Sequence, residues 1–126
     1  MAGVEANGRT KGRMVAKTFW FVSDTLGSGD DGLGSLLMSN FIYSLARAEA
    51  RPERLMFMNG GVRLTCEGSD VLDDIRLMSG AGTVVKSCGT CLDFLGLKEN
   101  LAVGEIGDMV GSAAVLSGAS DVVTVA

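Results

Sequence analysis

The stretch KSCGTCLDFLG sets two cysteines, Cys88 and Cys91, two residues apart. Such a pair can exchange disulfides, carry a sulfane sulfur or contribute to a metal site, and in each case the working species is the thiolate. A short apolar run ends at Cys88 and a helix-like segment follows, so Cys91 is expected in or near a first helical turn. Free N–H groups and the positive end of the helix dipole there stabilise a thiolate. They can bring a free thiol from about 8.5 to near or below neutral. Gly89 and Thr90 complete the motif: the glycine lets the backbone turn closely, and the threonine hydroxyl can donate to a bound anion.

Four uses of the pair compete. As a dithiol oxidoreductase, Cys88 would attack and Cys91 resolve. Thioredoxin-like proteins place a cis-proline opposite the motif, however, and the only proline here, Pro52, stands at an expected helix–strand join. A zinc or iron–sulfur site would need a fourth ligand beyond Cys66, Cys88 and Cys91, such as Asp93 or a partner subunit, so no metal is expected. A sulfur carrier needs one exposed cysteine, a lowered pKa and a pocket. The remaining use is none, since free cysteines are often small buried hydrophobes, and this is the reading favoured for Cys66. The chain has no histidine, which removes the commonest general base and the usual serine or cysteine triads.

The elements that would position this motif are legible as alternating patterns. TFWFV (18–22), RLMFM (54–58), TVVKSC (83–88) and DVVTV (121–125) are short and rich in β-branched or aromatic residues, and LAVGEI is a further short candidate. They read as strands buried on both faces. Between them, 33–50 repeats apolar residues at helical spacing, with Pro52 as its stop. A second helix is expected after Ser69 as cap, with Asp70, Asp73 and Asp74 at its positive end and Gly80 closing it. CLDFLG opens a short helix, and 107–118 is a small-residue helix before the last strand. Strand alternating with helix predicts an α/β domain with a mostly parallel sheet. Ligands then bind beyond the carboxyl ends of the strands. Those ends, Ser23-Asp24, Asn59-Gly60-Gly61 and Cys88, should share one rim.

One glycine pattern on that rim, Gly27-Ser28-Gly29-Asp30-Asp31-Gly32, spells a dinucleotide fingerprint. Its physics is missing. Four residues separate the first glycine from the strand, two carboxylates occupy the place of the phosphates, and Asn59 replaces the acidic residue expected to hold a ribose. The aspartates are better read as stabilising the helix start, and no nucleotide cofactor is expected.

Composition narrows the class. The chain has 126 residues, 47% apolar and 21% charged, with a net charge of −4. It is long enough for one core-bearing domain, and its apolar surplus points to a subunit interface. Residues 1–17 carry +3, leaving −7 on the rest. An acidic body argues against a nucleic-acid surface, and no apolar run is long enough for a membrane span. Residues 1–16 read as a disordered tail without a secretory signal, and 17–126 as one domain. Three cysteines without such a signal point to a reducing, cytoplasmic setting.

Three separated motifs, SDTLGSGDDGLGSLLMSNFIYSL, MFMNGGVRLTCEGSDVLDDI and SCGTCLDFLGLKENLAVGEIGDM, resemble in order the DsrE-like domain of YedF-type proteins. This sulfurtransferase-like group of the DsrE/DsrF family is linked by name to selenium metabolism. The resemblance spans about 17–126. It implies a three-layer α/β/α sandwich on a central, mostly parallel five-stranded sheet, and assembly as a homo-oligomer, a trimer or hexamer. It also implies a sulfur or selenium relay through a persulfide-carrying cysteine after a central strand. Matched by the following glycine, Gly96, the carrier position falls on Cys88, with Leu95 where many relatives have arginine. Ser23, Asp24, Asn59, Gly60, Gly89 and Thr90 would form the substrate pocket and Cys91 the second thiol. YedF-type proteins also carry a TusA-like domain, so the implied partner is a separate TusA-like or other sulfur-carrier protein. The competing expectation is a non-catalytic oligomeric binding or assembly module with structural cysteines.

Overall fold

The computed structural model describes residues 12–118 and 121–126. Five strands, β1 (Arg13–Phe21), β2 (Ala50–Phe57), β3 (Val84–Cys88), β4 (Glu105–Gly107) and β5 (Val122–Val125), form one sheet in the order β4-β3-β2-β1-β5. Every neighbouring pair is parallel. The helices are α1 (Asp31–Arg47), α2 (Leu72–Gly80), α3 (Gly89–Phe94) and α4 (Met109–Gly118). Among the described residues no helix is long and apolar enough to cross a membrane.

One face of the sheet carries the core. Register aligns Phe19 with Leu55 and Val85, and Phe21 with Phe57 and Ser87. Phe21 and Phe57 stack with centroids 4.9 Å apart, and Phe41 of α1 meets Phe19 at 5.9 Å edge-on. Met38 and Ile42 of α1 and Ile75 and Met78 of α2 close this layer, all essentially inaccessible. The opposite face departs from the expectation of strands buried on both sides. Arg54, Met56, Val84 and Lys86 look across a cavity of about 230 Å³ toward Ser112 and Val115 of α4. None of the residues of α4 is buried: its glycines, serines and alanines offer little side chain to bury, and its Met109 and Val110 face outward.

The helix ends show what the local sequence controls. Asp30 is the α1 cap, its Oδ1 accepting the Leu33 N–H at 2.8 Å. The aspartates of the glycine-rich loop thus serve the helix start, as their charge implies. Ser69 does not cap α2: its Oγ accepts from Val71 N–H, and the helix begins after Val71.

Two strand starts were not foreseen. Strand β1 begins at Arg13, so 13–16, assigned to the tail by sequence, belong to the sheet beside β2; the rest of the tail, 1–11, lies outside the described residues. Pro52 is not the stop of α1, which ends at Arg47, but the third residue of β2. A proline is tolerated in this inner strand because it borders a shift of register: Val15 pairs with Pro52, and Thr18 already pairs with Arg54. Its carbonyl accepts the Thr83 hydroxyl at 2.8 Å.

Candidate functional site

At the carboxyl edge of the sheet, β2 continues through Met58 into a 3-10 helix, Asn59–Thr65, that folds back over the end of β1. Met58 N–H donates to the Phe21 carbonyl at 2.9 Å. Gly61 lies so close to that carbonyl that a Cβ there would overlap its oxygen and come within 2.9 Å of its carbon. Only glycine permits this approach. A Cβ built on Gly60 would have 3.6 Å to Asp24 Oδ1, so Gly60 and Asp24 face each other across the rim.

Asn59 turns through φ 50°, the one non-glycine positive φ among the described residues. Asparagine tolerates that region better than most side chains. The turn aims the Asn59 N–H at Cys91 Sγ, 3.1 Å away. From the other side, Cys88 ends β3 and is the N-cap of α3, and Cys91 is the third residue of that helix. Tight packing against β4 fixes the turn between them: a Cβ on Gly89 would stand 3.0 Å from Ile106 Cγ2 and 3.2 Å from the Gly107 carbonyl oxygen.

The rim expected from the strand ends therefore exists. Asn59 and Gly60 meet both Asp24 and Cys91 on it, with Ser23 beside Asp24 and its hydroxyl engaged by the Thr25 N–H at 3.1 Å. Thr90 is exposed at the turn. Leu95, at the position before Gly96, packs partly buried against the core.

Two features differ from the expectation. Accessibility is inverted: Cys88 is 4% exposed, whereas Cys91 is only half-buried. The Cys91 thiol is also not lowered. Burial pushes it up, and the neighbouring Cys88 thiol adds to the rise. The Asn59 N–H pulls the other way and is outweighed. Cys66 is a separate matter: buried, raised mainly by desolvation and hydrogen-bonded to the Val62 carbonyl at 3.2 Å, it stands apart from the pair. Among the described residues, no group of three or more side chains is placed to hold a metal.

Sequence reasoning missed how Asn59 acts. Its contribution is a backbone N–H delivered by a positive φ, for which an Asn-Gly-Gly run was the sole local signal. It also missed a cleft of about 300 Å³ between Asp24, Ser35, Ser39, Arg63 and Glu67, assembled from distant segments.

These positions give a direct expectation for thiol reagents. A small alkylating agent should modify Cys91 well before Cys88 or Cys66, and slower at neutral pH than an exposed cysteine. Its rate should keep rising with pH after that of an ordinary thiol, with a pKa of about 8.5, has levelled off. Peptide mapping after timed quenching measures both; Cys88 labelled first would contradict the geometry.

Neither a protein-family model nor any curated protein matches the sequence. Solved structures do match the fold. YchN from E. coli is 21% identical, covering 86% of this chain and 98% of its own, with a TM-score of 0.55. MTH1491 from Methanobacterium thermoautotrophicum, a protein of unknown function, is 19% identical over 86% and 96%, with a TM-score of 0.60. BT1422 from Bacteroides thetaiotaomicron, also of unknown function, is 13% identical over 87% and 95%, with a TM-score of 0.55. The likeness is one of fold: a DsrE-like α/β fold on a five-stranded parallel sheet.

Proposed function

We propose that this DsrE-like chain accepts sulfur, or selenium, on the thiol pair of its rim and passes it to a carrier protein. The observation that supports the reading is the Cys91 sulfur, half-exposed at the carboxyl edge of the sheet with a backbone N–H held on it at 3.1 Å. A fixed donor aimed at sulfur stabilises anionic character on that atom, as in the thiolate that accepts sulfur, without reorganisation. Accessibility favours Cys91 as the accepting thiol, with Cys88 behind it, the reverse of the order implied by the YedF-type resemblance. Ser23, Asp24, Asn59, Gly60, Gly89 and Thr90 frame the approach. A reducing cytoplasmic setting would keep the cysteines free, and a TusA-like protein is the kind of acceptor proposed.

Incubation of the reduced chain with a persulfide donor, followed by intact mass measurement and peptide mapping, tests the reading. Addition of a sulfur atom that maps to the C-x-x-C peptide is expected. Absence of any sulfur addition or thiol oxidation in wild type and in both single cysteine variants would sink it.

A second reading, an oligomeric binding or assembly module with structural cysteines, is favoured by one feature. Leu33, Leu36 and Leu37 of α1 are 54%, 57% and 41% exposed, and Phe94 is 89% exposed. Apolar groups left in water at this density suit a subunit contact. This reading expects an oligomer in sedimentation together with a rim inert to persulfides.

A further inference from the structure

We infer that the pair does more than carry sulfur: Cys88 resolves the Cys91 persulfide, so that the site reduces sulfane sulfur to sulfide and closes as a Cys88–Cys91 disulfide. The inference rests on the proposed sulfur-accepting role of Cys91 and adds a second activity to it. Three observations carry it. The two thiols differ sharply in access, Cys88 being 4% exposed and Cys91 half-buried, so a donor from solvent meets Cys91 first. Their positions, cap residue and third residue of one helix, are three apart, the spacing at which side chains are neighbours on a helix surface. The neighbouring Cys88 thiol is close enough to bear on Cys91, whose thiol it helps to push up. The Asn59 N–H holds the Cys91 sulfur in place, with Cys88 as its thiol neighbour among the described residues.

The chemistry balances without an outside oxidant. In the first step a persulfide R–S–SH gives its outer sulfur to Cys91, leaving R–SH and Cys91–S–SH. In the second, the Cys88 sulfur attacks the Cys91 Sγ. The bond from Sγ to the outer sulfur breaks, its electron pair leaves with that sulfur, and the Cys88 proton goes with it. The products are the Cys88–Cys91 disulfide and one molecule of hydrogen sulfide. The sulfane sulfur is the oxidant, the thiol pair is oxidised by two electrons, and hydrosulfide is a good leaving group. A dithiol reductant reopens the disulfide by exchange. The sum is R–S–SH plus reduced dithiol giving R–SH, hydrogen sulfide and oxidised dithiol. A carrier thiol that reaches Cys91 before Cys88 attacks receives the sulfur instead, so the second thiol sets a lifetime on the cargo.

The test uses the full chain, pre-reduced and freed of reductant under anaerobic conditions, with inorganic polysulfide as donor. Wild type, Cys91→Ser and Cys88→Ser are compared, and Cys88→Ala stands in should the serine unsettle that buried position. Mass and released sulfide are followed with time. Wild type should lose two hydrogens as the disulfide forms and show a burst of sulfide about one equivalent above the Cys88 variants. Those variants should gain one sulfur on Cys91 and hold it at least about tenfold longer. Cys91→Ser should do neither. Wild type holding its added sulfur as long as the Cys88 variants, with no disulfide, would overturn the inference and leave the carrier reading standing. No added sulfur in the Cys88 variants and no disulfide in wild type would remove the carrier reading and this inference together.

Discussion

Gly61→Ala is expected to cost on the order of 4 kcal/mol or more, enough to leave much of a marginally stable domain unfolded. The reason is backbone against backbone. The added methyl would overlap the Phe21 carbonyl oxygen and sit 2.9 Å from its carbon, with Ser23 N at 3.4 Å. No flexible side chain can yield there, because Phe21 is a fully buried strand end whose carbonyl also accepts the Met58 N–H. Relief requires the 3-10 helix to lift from β1, which breaks that bond and carries Asn59 away from Cys91. Denaturant unfolding of wild type and variant measures the loss; a difference within about 1 kcal/mol would show that the rim is looser than drawn. Any folded fraction should also alkylate Cys91 at a changed rate, since its N–H donor will have moved. Gly80, where a Cβ meets nothing within 4 Å, supplies the control: Gly80→Ala inside a helix should be neutral or slightly stabilising.

Phe57→Ala is the second large effect, about 3–5 kcal/mol. Phe57 is 1% exposed, stacks on Phe21 at 4.9 Å and stands in the inner strand whose end leads into the rim. Its removal opens a cavity between sheet and helices that the flanking residues can fill only by shifting the β1 and β2 ends on which the site depends. Phe94→Ala deletes the same side chain where it is 89% exposed, and should change stability by less than about 0.5 kcal/mol. Thermal or denaturant midpoints compare the two. Equal losses would mean that Phe94 is covered in the native assembly, which is the outcome expected of an oligomer contact at α3.

How far the fold could be read in advance depended on the range of the forces involved. Strands β2, β3 and β5 and helix α1 announced themselves because alternation and helical spacing are local records of which face each element buries. The cap at Asp30 was equally local, a side chain bonding three residues along its own chain. Reading failed where a distant segment decided. Residues 13–16 look like a polar tail, yet pairing with 50–52 makes them strand. Pro52 looks like a helix stop, yet the register shift in its neighbour lets it enter a sheet. The second face of the sheet was expected to be covered like the first, and the small residues of α4 leave it half open.

The thiol pair shows the same division. Sequence by itself determined that two cysteines flank a strand-to-helix turn, that no histidine serves them, and that Asn59 and Ser23 follow strand ends expected on one rim. Spacing along one chain is enough for those statements. The tertiary structure alone decided that Cys88 is sealed and Cys91 open. It alone decided that an N–H thirty-two residues away rests on the Cys91 sulfur, and that burial outweighs this donor and pushes the thiol up. Burial and desolvation depend on what the rest of the chain stacks around a group, and no local pattern records that.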